Sequence, residues 1–331
     1  MKVQTGIVSY GIIGAGMMGR EHLLNITALE GAAVVAIADP HLPSQEAALA
    51  VLPSLKVFSD HKALLESGTC DMLVVSTPNN THAEIVLDIL HHAKPHHVLI
   101  EKPLCINIDD CHKVLEAAKA RPGVFVQEKN VVQNWNRFNS NTGGTLVEKC
   151  CHFFDLMNLI TGATPVRVMA SGSQDVNHID ENYNGKVPDI IDNAYVIVEY
   201  DDGVRGMLDL CMFAEGGNNE QEICVVGDIG KVEAFVPESF VRFGTRAGGR
   251  RGVQKYEVHD DRIKYEGLHH GSSFLEHLEF LAAVTSPGER PPIASLYEGM
   301  LSVAIGMAAQ KSIETGKPVS LGDIPEKKAC Q

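Results

Sequence analysis

Gly14-Ala15-Gly16-Met17-Met18-Gly19 constrains this chain more than any other feature, because of where it stands. It follows an aliphatic run ending Tyr10-Gly11-Ile12-Ile13 and opens a segment of helical character. A G-x-G-x-x-G turn in that context dictates a strand–turn–helix unit in which helix and strand pack closely. The glycines let the backbone approach a ligand, and the helix N-terminus offers free N–H groups and a favourable dipole to an anion. Asp39 closes the next aliphatic run, 20 residues past Gly19. A carboxylate there accepts hydrogen bonds from both hydroxyls of a ribose and repels a 2′-phosphate. Gly14, Gly16, Met17, Met18, Gly19 and Asp39 are therefore candidate dinucleotide-binding residues, with NAD favoured over NADP.

The rest of the first 127 residues supports such a unit. Aliphatic runs at 34–38, 72–76, 98–100 and 124–126 are of strand length and nearly continuous, as parallel strands covered on both faces require. Amphipathic segments separate them. In Thr81 to Ala93, Ile85, Val86, Ile89 and Leu90 recur at helical spacing, and Thr81 with Glu84 reads as a capping box. Asp109 to Ala120 repeats the pattern. Strand and helix in alternation predict an α/β Rossmann domain with a doubly wound parallel sheet over residues 1–127. Ser76-Thr77-Pro78-Asn79 sits at the carboxyl end of its strand, the edge where open α/β sheets bind ligands.

Beyond residue 127 the pattern changes. Asn193 to Tyr200 and Val204 to Cys211 flank Asp201-Asp202-Gly203, and Glu222 to Val226 and Lys231 to Val236 flank Gly227-Asp228-Ile229-Gly230. Hairpins in series predict an α+β domain over residues 128–331 with a largely antiparallel, open-faced sheet and a last helix over about 296–314.

The formal charge of -14 argues against nucleic acid as a partner. Eight cysteines without a CxxC pair, no signal-like N-terminus and no apolar run of spanning length lead us to expect a cytoplasmic protein that is not in the membrane. The histidine pairs at 91–92, 96–97 and 269–270 read as solvated loops, and no metal is expected, because no cluster offers three convergent ligands. Arg242, Arg246, Arg250 and Arg251 read as an exposed hairpin loop.

Several further motifs fall into one series. The glycine turn at 14–19 is followed by Thr77-Pro78-Asn79 with His82, then Glu101-Lys102-Pro103, then loosely Trp135 and Arg137. Gly143-Gly144 then leads to Glu148, His152 and Asp155. Together these resemble the glucose–fructose oxidoreductase, inositol dehydrogenase and MocA family over most of the chain. Gly143 to Leu156 is similar to a plant branch of it. The resemblance implies an NAD(P)-dependent oxidoreductase moving hydride between a nicotinamide and a sugar or polyol carbinol, and a homo-oligomer. It makes Lys102, His152 and Glu148 catalytic. Thr77, Pro78, Asn79, His82, Glu101 and Lys102 join the cofactor set, and Trp135, Arg137 and Asp155 become substrate contacts. His152 would take the hydroxyl proton while Lys102 stabilises the developing alkoxide. Glu148 and His152, at i and i+4, would share one helix face while Lys149 points elsewhere.

Two departures stand out. Glu148 replaces the family's Asp, and only eight residues, Gln127 to Asn134, separate the strand at 124–126 from Trp135. The family has a helix and a strand there, which average roughly 17 residues before loops. The chain thus reads as internally shortened after Gln127. The competing expectation is a dinucleotide-binding protein whose second domain cannot orient substrate.

Overall fold

A computed structural model describes residues 6–121, 126–128, 134–286 and 294–322. The N-terminal sheet is built from β1 (Val8–Ile13), β2 (Ala32–Ala38), β3 (Lys56–Phe58), β4 (Met72–Val75), β5 (His97–Ile100) and β6 (Val126–Glu128). Its strands run parallel in the order β3-β2-β1-β4-β5-β6. That is the doubly wound order, with its switch point between β1 and β4. Every residue of β4 and β5 is buried, which explains why their sequences are unbroken aliphatic runs apart from His97. The crossovers carry α1 (Met17–Thr27), α2 (Leu42–Val51), α3 (His61–Glu66), α4 (His82–His91) and α5 (Ile108–Lys119). Residues 122–125, which include most of the expected strand at 124–126, lie outside the described part.

The capping box expected at Thr81 and Glu84 does not form. Thr81 makes no side-chain cap; its hydroxyl bonds Pro78 O and Thr77 Oγ1 instead, because a 3-10 turn at Asn79–Thr81 leads into α4. His96 and His97 are likewise not solvated. They are 2% and 1% exposed, and burial pushes both imidazoles down to about 4.

After Arg137 come three short helices, α6 (Asn139–Thr142), α7 (Thr145–Glu148) and α8 (Cys151–Thr161). Gly143 and Gly144 separate the first two at φ 77° and 90°, conformations that only glycine adopts cheaply, and a Cβ on Gly144 would strike the Gln310 amide. The rest of the chain forms β7 (Pro165–Ser173), β8 (Asn193–Tyr200), β9 (Arg205–Cys211), β10 (Gln221–Val226), β11 (Gly230–Val236), β12 (Phe240–Thr245), β13 (Gln254–Glu257), α9 (Ser272–Thr285), α10 (Leu296–Thr315) and β14 (Val319–Ser320). The expected antiparallel pairing is present, but it is divided between two four-stranded sheets, β14-β7-β8-β9 and β10-β11-β12-β13. In the first, Val168, Val196, Val198 and Leu208 face α8 and α10 in one core, while Met169, Tyr195 and Met207 are exposed. Among the described residues, the second contributes no side chain to any of the core clusters. Its connection from β12 to β13 holds Arg246, Arg250 and Arg251, exposed as expected, but Arg242 lies within β12, its guanidinium over the Phe235 ring.

Two late helices join the halves. Phe274, Phe280, Leu281 and Val284 of α9 pack into the same core as Val8, Tyr10 and Ile12 of β1. Helix α10 begins on the N-terminal sheet's core through Tyr297, Met300 and Val303 and ends on the antiparallel sheet's core through Ile305, Ala308 and Ala309. A capping box between Ser295 and Glu298 fixes its start.

Candidate active site

The glycine turn has the geometry its sequence implies. A Cβ on Gly14 would meet Ser76 O at 2.4 Å, and one on Gly19 would meet Gly14 O at 2.0 Å, so both glycines permit backbone-to-backbone approach. At Gly16 nothing lies within 4 Å. That open side adjoins a cavity of about 550 Å³ lined by Gly14, Gly16, Asp39, His41, Thr77, Pro78 and others. The first turn of α1 carries no side-chain cap, leaving its N–H groups for a ligand. Asp39 is 8% exposed and receives the Ala15 N–H at 2.7 Å and the His41 N–H at 2.8 Å, which fixes its carboxylate at the rim.

Thr77 and Pro78 also line this cavity, and Asn79 follows them. His82 is fully buried behind this turn, one ring nitrogen 2.9 Å from Thr77 O and the other 2.9 Å from Pro103 O. It buckles this turn to the Lys102 turn rather than lining the cavity. Burial lowers its pKa, against the two carbonyl oxygens, which favour the protonated ring. Asn79 is 1% exposed, and both polar atoms of its amide lack a hydrogen-bond partner among the described residues. An orphaned buried amide, an uncapped helix N-terminus and an open glycine fit a dinucleotide along this edge.

Lys102 follows β5. It is 5% exposed, precedes a cis peptide to Pro103, and its ammonium donates to the backbone carbonyl of Glu148. The single helix face proposed for Glu148 and His152 is absent. The helix breaks at Lys149 and Cys150, so Glu148 ends α7 buried, whereas His152 lies in the first turn of α8 and is exposed. Lys149 does not point elsewhere; its Nζ lies 3.2 Å from Glu148 Oε1. Burial, with the Lys102 charge nearby, lowers the Lys149 ammonium below the usual lysine value against the pull of Glu148.

His152 is exposed at the start of α8. Desolvation from the protein side and the charges of Lys102, Lys149 and His269 hold its imidazole well below the usual value, so it stands neutral at pH 7. Asp155 is pushed up to about 6 by burial and by Glu298. Arg137 is held by Glu181 (Nε–Oε2 3.4 Å) and contributes to the positive field on Lys149. The Trp135 side chain lies outside the described part. Two members of this cluster, Lys149 and His269, were not among the expected site residues. The signal for Lys149 was its adjacency to Glu148; His269 carried none, because it arrives from the segment before α9.

With fold and site described, comparison with known proteins places the chain. Residues 8–128 match the Oxidoreductase family, NAD-binding Rossmann fold, and residues 115–321 match the Oxidoreductase family, C-terminal alpha/beta domain. The chain therefore belongs to the Gfo/Idh/MocA oxidoreductases and has that family's NAD-binding fold. It is similar to myo-inositol 2-dehydrogenase of Thermotoga maritima, 27% identical over 345 positions covering 95% of this chain and 98% of the relative. That alignment is longer than the 331 residues here, so the relative has segments without a counterpart in this chain. A scyllo-inositol 2-dehydrogenase (NAD(+)) of Bacillus subtilis is 22% identical, with 95% and 96% of the two chains covered. Among solved structures, an oxidoreductase domain protein from Kribbella flavida superposes with a TM-score of 0.83 at 17% identity, covering 97% of this chain and 100% of its own. Levoglucosan dehydrogenase in complex with NADH superposes with a TM-score of 0.81 at 17% identity, covering 96% and 99%.

Proposed function

We propose that the chain is an NAD-dependent dehydrogenase of a cyclic polyol or sugar, with Lys102 and His152 as its catalytic pair. The observation that carries this reading is a buried Lys102 anchored on the carbonyl of Glu148, four residues before His152, just past the β5 end of the NAD-binding sheet. Gly14, Gly16, Met17, Met18, Gly19 and Asp39 hold the pyrophosphate and the adenosine ribose, and Asp39 disfavours a 2′-phosphate. Thr77, Pro78, Asn79 and Glu101 border the nicotinamide end, with His82 bracing them. Bound nicotinamide supplies the hydride acceptor. His152 accepts the proton of the substrate hydroxyl at an imidazole nitrogen, and the Lys102 ammonium stabilises the oxygen as its charge develops. Glu148 restrains Lys149, while Arg137, Trp135 and Asp155 orient the remaining hydroxyls. Residues 1–127 then form the dinucleotide domain and 128–331 the substrate domain, in a cytoplasmic homo-oligomer.

The division of the antiparallel strands into two sheets, together with the relative's extra segments, favours a second reading. In it the chain binds dinucleotide but holds its substrate too loosely to turn it over. One experiment separates the two. The purified chain is given NAD and, in turn, myo-inositol, scyllo-inositol, levoglucosan and acyclic polyols, while NADH formation and NAD binding are followed. Turnover that is lost in Lys102→Ala and His152→Ala supports the dehydrogenase. NAD binding without turnover on any member supports the second reading, and the absence of NAD binding refutes both.

A further inference from the structure

Three buried polar side chains stand behind the Lys102 turn, and the chemistry above does not use their contacts. Glu101, at the end of β5, is 0% exposed, as are His22 on α1 and His277 on α9. Oε1 of Glu101 lies 2.5 Å from Nε2 of His22, and Nδ1 of His22 lies 2.8 Å from Nε2 of His277. The two imidazoles meet edge to face, 90° apart with centroids at 5.0 Å. One arrangement of protons satisfies both contacts with neutral rings. His22 donates from Nε2 to the carboxylate and accepts at Nδ1 from the Nε2–H of His277.

These residues come from positions 22, 101 and 277, three segments with different tasks. Helix α1 starts at the glycine turn, the β5 end carries Lys102 one residue on, and α9 belongs to the C-terminal half. Glu21, the neighbour of His22, receives the backbone N–H of Leu268 at 3.0 Å through Oε1. Consecutive residues of α1 therefore hold both ends of the 268–277 segment, and that segment carries His269, whose charge helps to lower the His152 imidazole. A buried polar chain of this kind is a poor source of stability, since apolar side chains of the same volume would do as well. What it supplies is a single permitted arrangement of the elements that carry it.

We propose that His22, Glu101 and His277 form a positioning relay that, through Glu101, fixes Lys102 against the Glu148 carbonyl and ties it to the segment carrying His269. None of the three is a catalytic residue in this account. The effect on turnover rests on the dehydrogenase reading above; the effect on Lys102 itself does not. The test therefore uses the full chain and two kinds of readout.

In the native chain Lys102 is buried and is expected to resist an amine-reactive ester, which peptide mass spectrometry reads at that residue. His22→Gln keeps a donor toward Glu101 but cuts the link to His277. His277→Leu removes the far end of the relay and serves as the test should His22→Gln not fold. In either folded variant Lys102 is expected to be acylated several-fold faster, with NAD affinity unchanged. Turnover is expected to fall about 10–100-fold, the range typical of groups that orient active-site ligands, with little change in KM. Acylation of Lys102 at the native rate in a folded variant overturns the relay. If the native chain turns over no polyol, the dehydrogenase reading fails, while faster acylation in the variants still supports the relay and native-rate acylation still overturns it.

Discussion

Replacing Gly16 and Gly19 by alanine separates the two duties of the glycine turn. At Gly19 the new Cβ would stand 2.0 Å from Gly14 O, and backbone must move by more than an ångström to reach ordinary contact. Overpacking of that kind costs ~1–3 kcal/mol, partly offset by alanine's helical advantage of up to ~1 kcal/mol. Gly19→Ala is thus expected to lower the melting temperature of the ligand-free chain by several degrees and to weaken NAD binding by displacing the turn. Gly16 is different. Its φ of -63° suits any residue, and its Cβ would enter open space. Gly16→Ala is expected to leave the ligand-free melting temperature within a degree or two. The methyl would occupy the approach of the pyrophosphate to the N-terminus of α1. Loss of a hydrogen bond to a charged group is worth ~1.5–3 kcal/mol, so NAD affinity falls by about 10–150-fold. Calorimetric titration with NAD, paired with thermal melts without it, reads both. Native NAD affinity in Gly16→Ala would refute the placement of the dinucleotide on this turn.

Asp39→Ala is expected to raise NADP affinity relative to NAD, measured as the ratio of the two dissociation constants; an unchanged ratio would remove Asp39 from the ribose site. Asp155 has its carboxyl raised to about 6 from 3.8, so the native state binds the proton more tightly than the unfolded chain, and stability falls as pH rises from about 4 to 6. Asp155→Asn is therefore expected to melt higher than the native chain at pH 7, by up to ~2–3 kcal/mol of stability, and equally at pH 4; the reverse order at pH 7 would show a paired carboxylate. Amide hydrogen exchange is expected to be fastest, among the strands, in the sheet of β10 to β13, which joins no core cluster, and slowest in β1, β4 and β5. Equal protection in both groups would contradict this.

Sequence legibility followed how local each determinant is. The unit from β1 through the glycine turn to α1 was readable because the motif, the aliphatic run before it and Asp39 act within a few dozen residues. The hairpins of β8–β9 and β10–β11 were readable from alternation and turn residues. Strand β3 was not, since Lys56-Val57-Phe58 is three residues long and half-exposed at a sheet edge. The continuous helix expected through Glu148 and His152 was an extrapolation of period. In the folded chain Glu148 turns inward beside Lys149, and the turn at Lys149–Cys150 re-aims His152 outward. Nothing local marks α9 as a partner of β1, although its segment supplies His269 and His277. The contact of His22 with His277 spans 255 positions, and only the packed structure brings them together.

The central claim is that this chain moves hydride from a carbinol carbon to NAD beside Lys102 and His152. The most direct measurement uses a polyol deuterated at its carbinol carbons, incubated with NAD and a high concentration of the native chain, with mass spectrometry of the nicotinamide product. One deuterium is expected in the reduced cofactor, with general acid–base losses of ~10²–10⁴-fold in its rate of appearance for both Lys102→Ala and His152→Ala. A reduced cofactor without deuterium, or label transfer at the native rate in either variant, would contradict it.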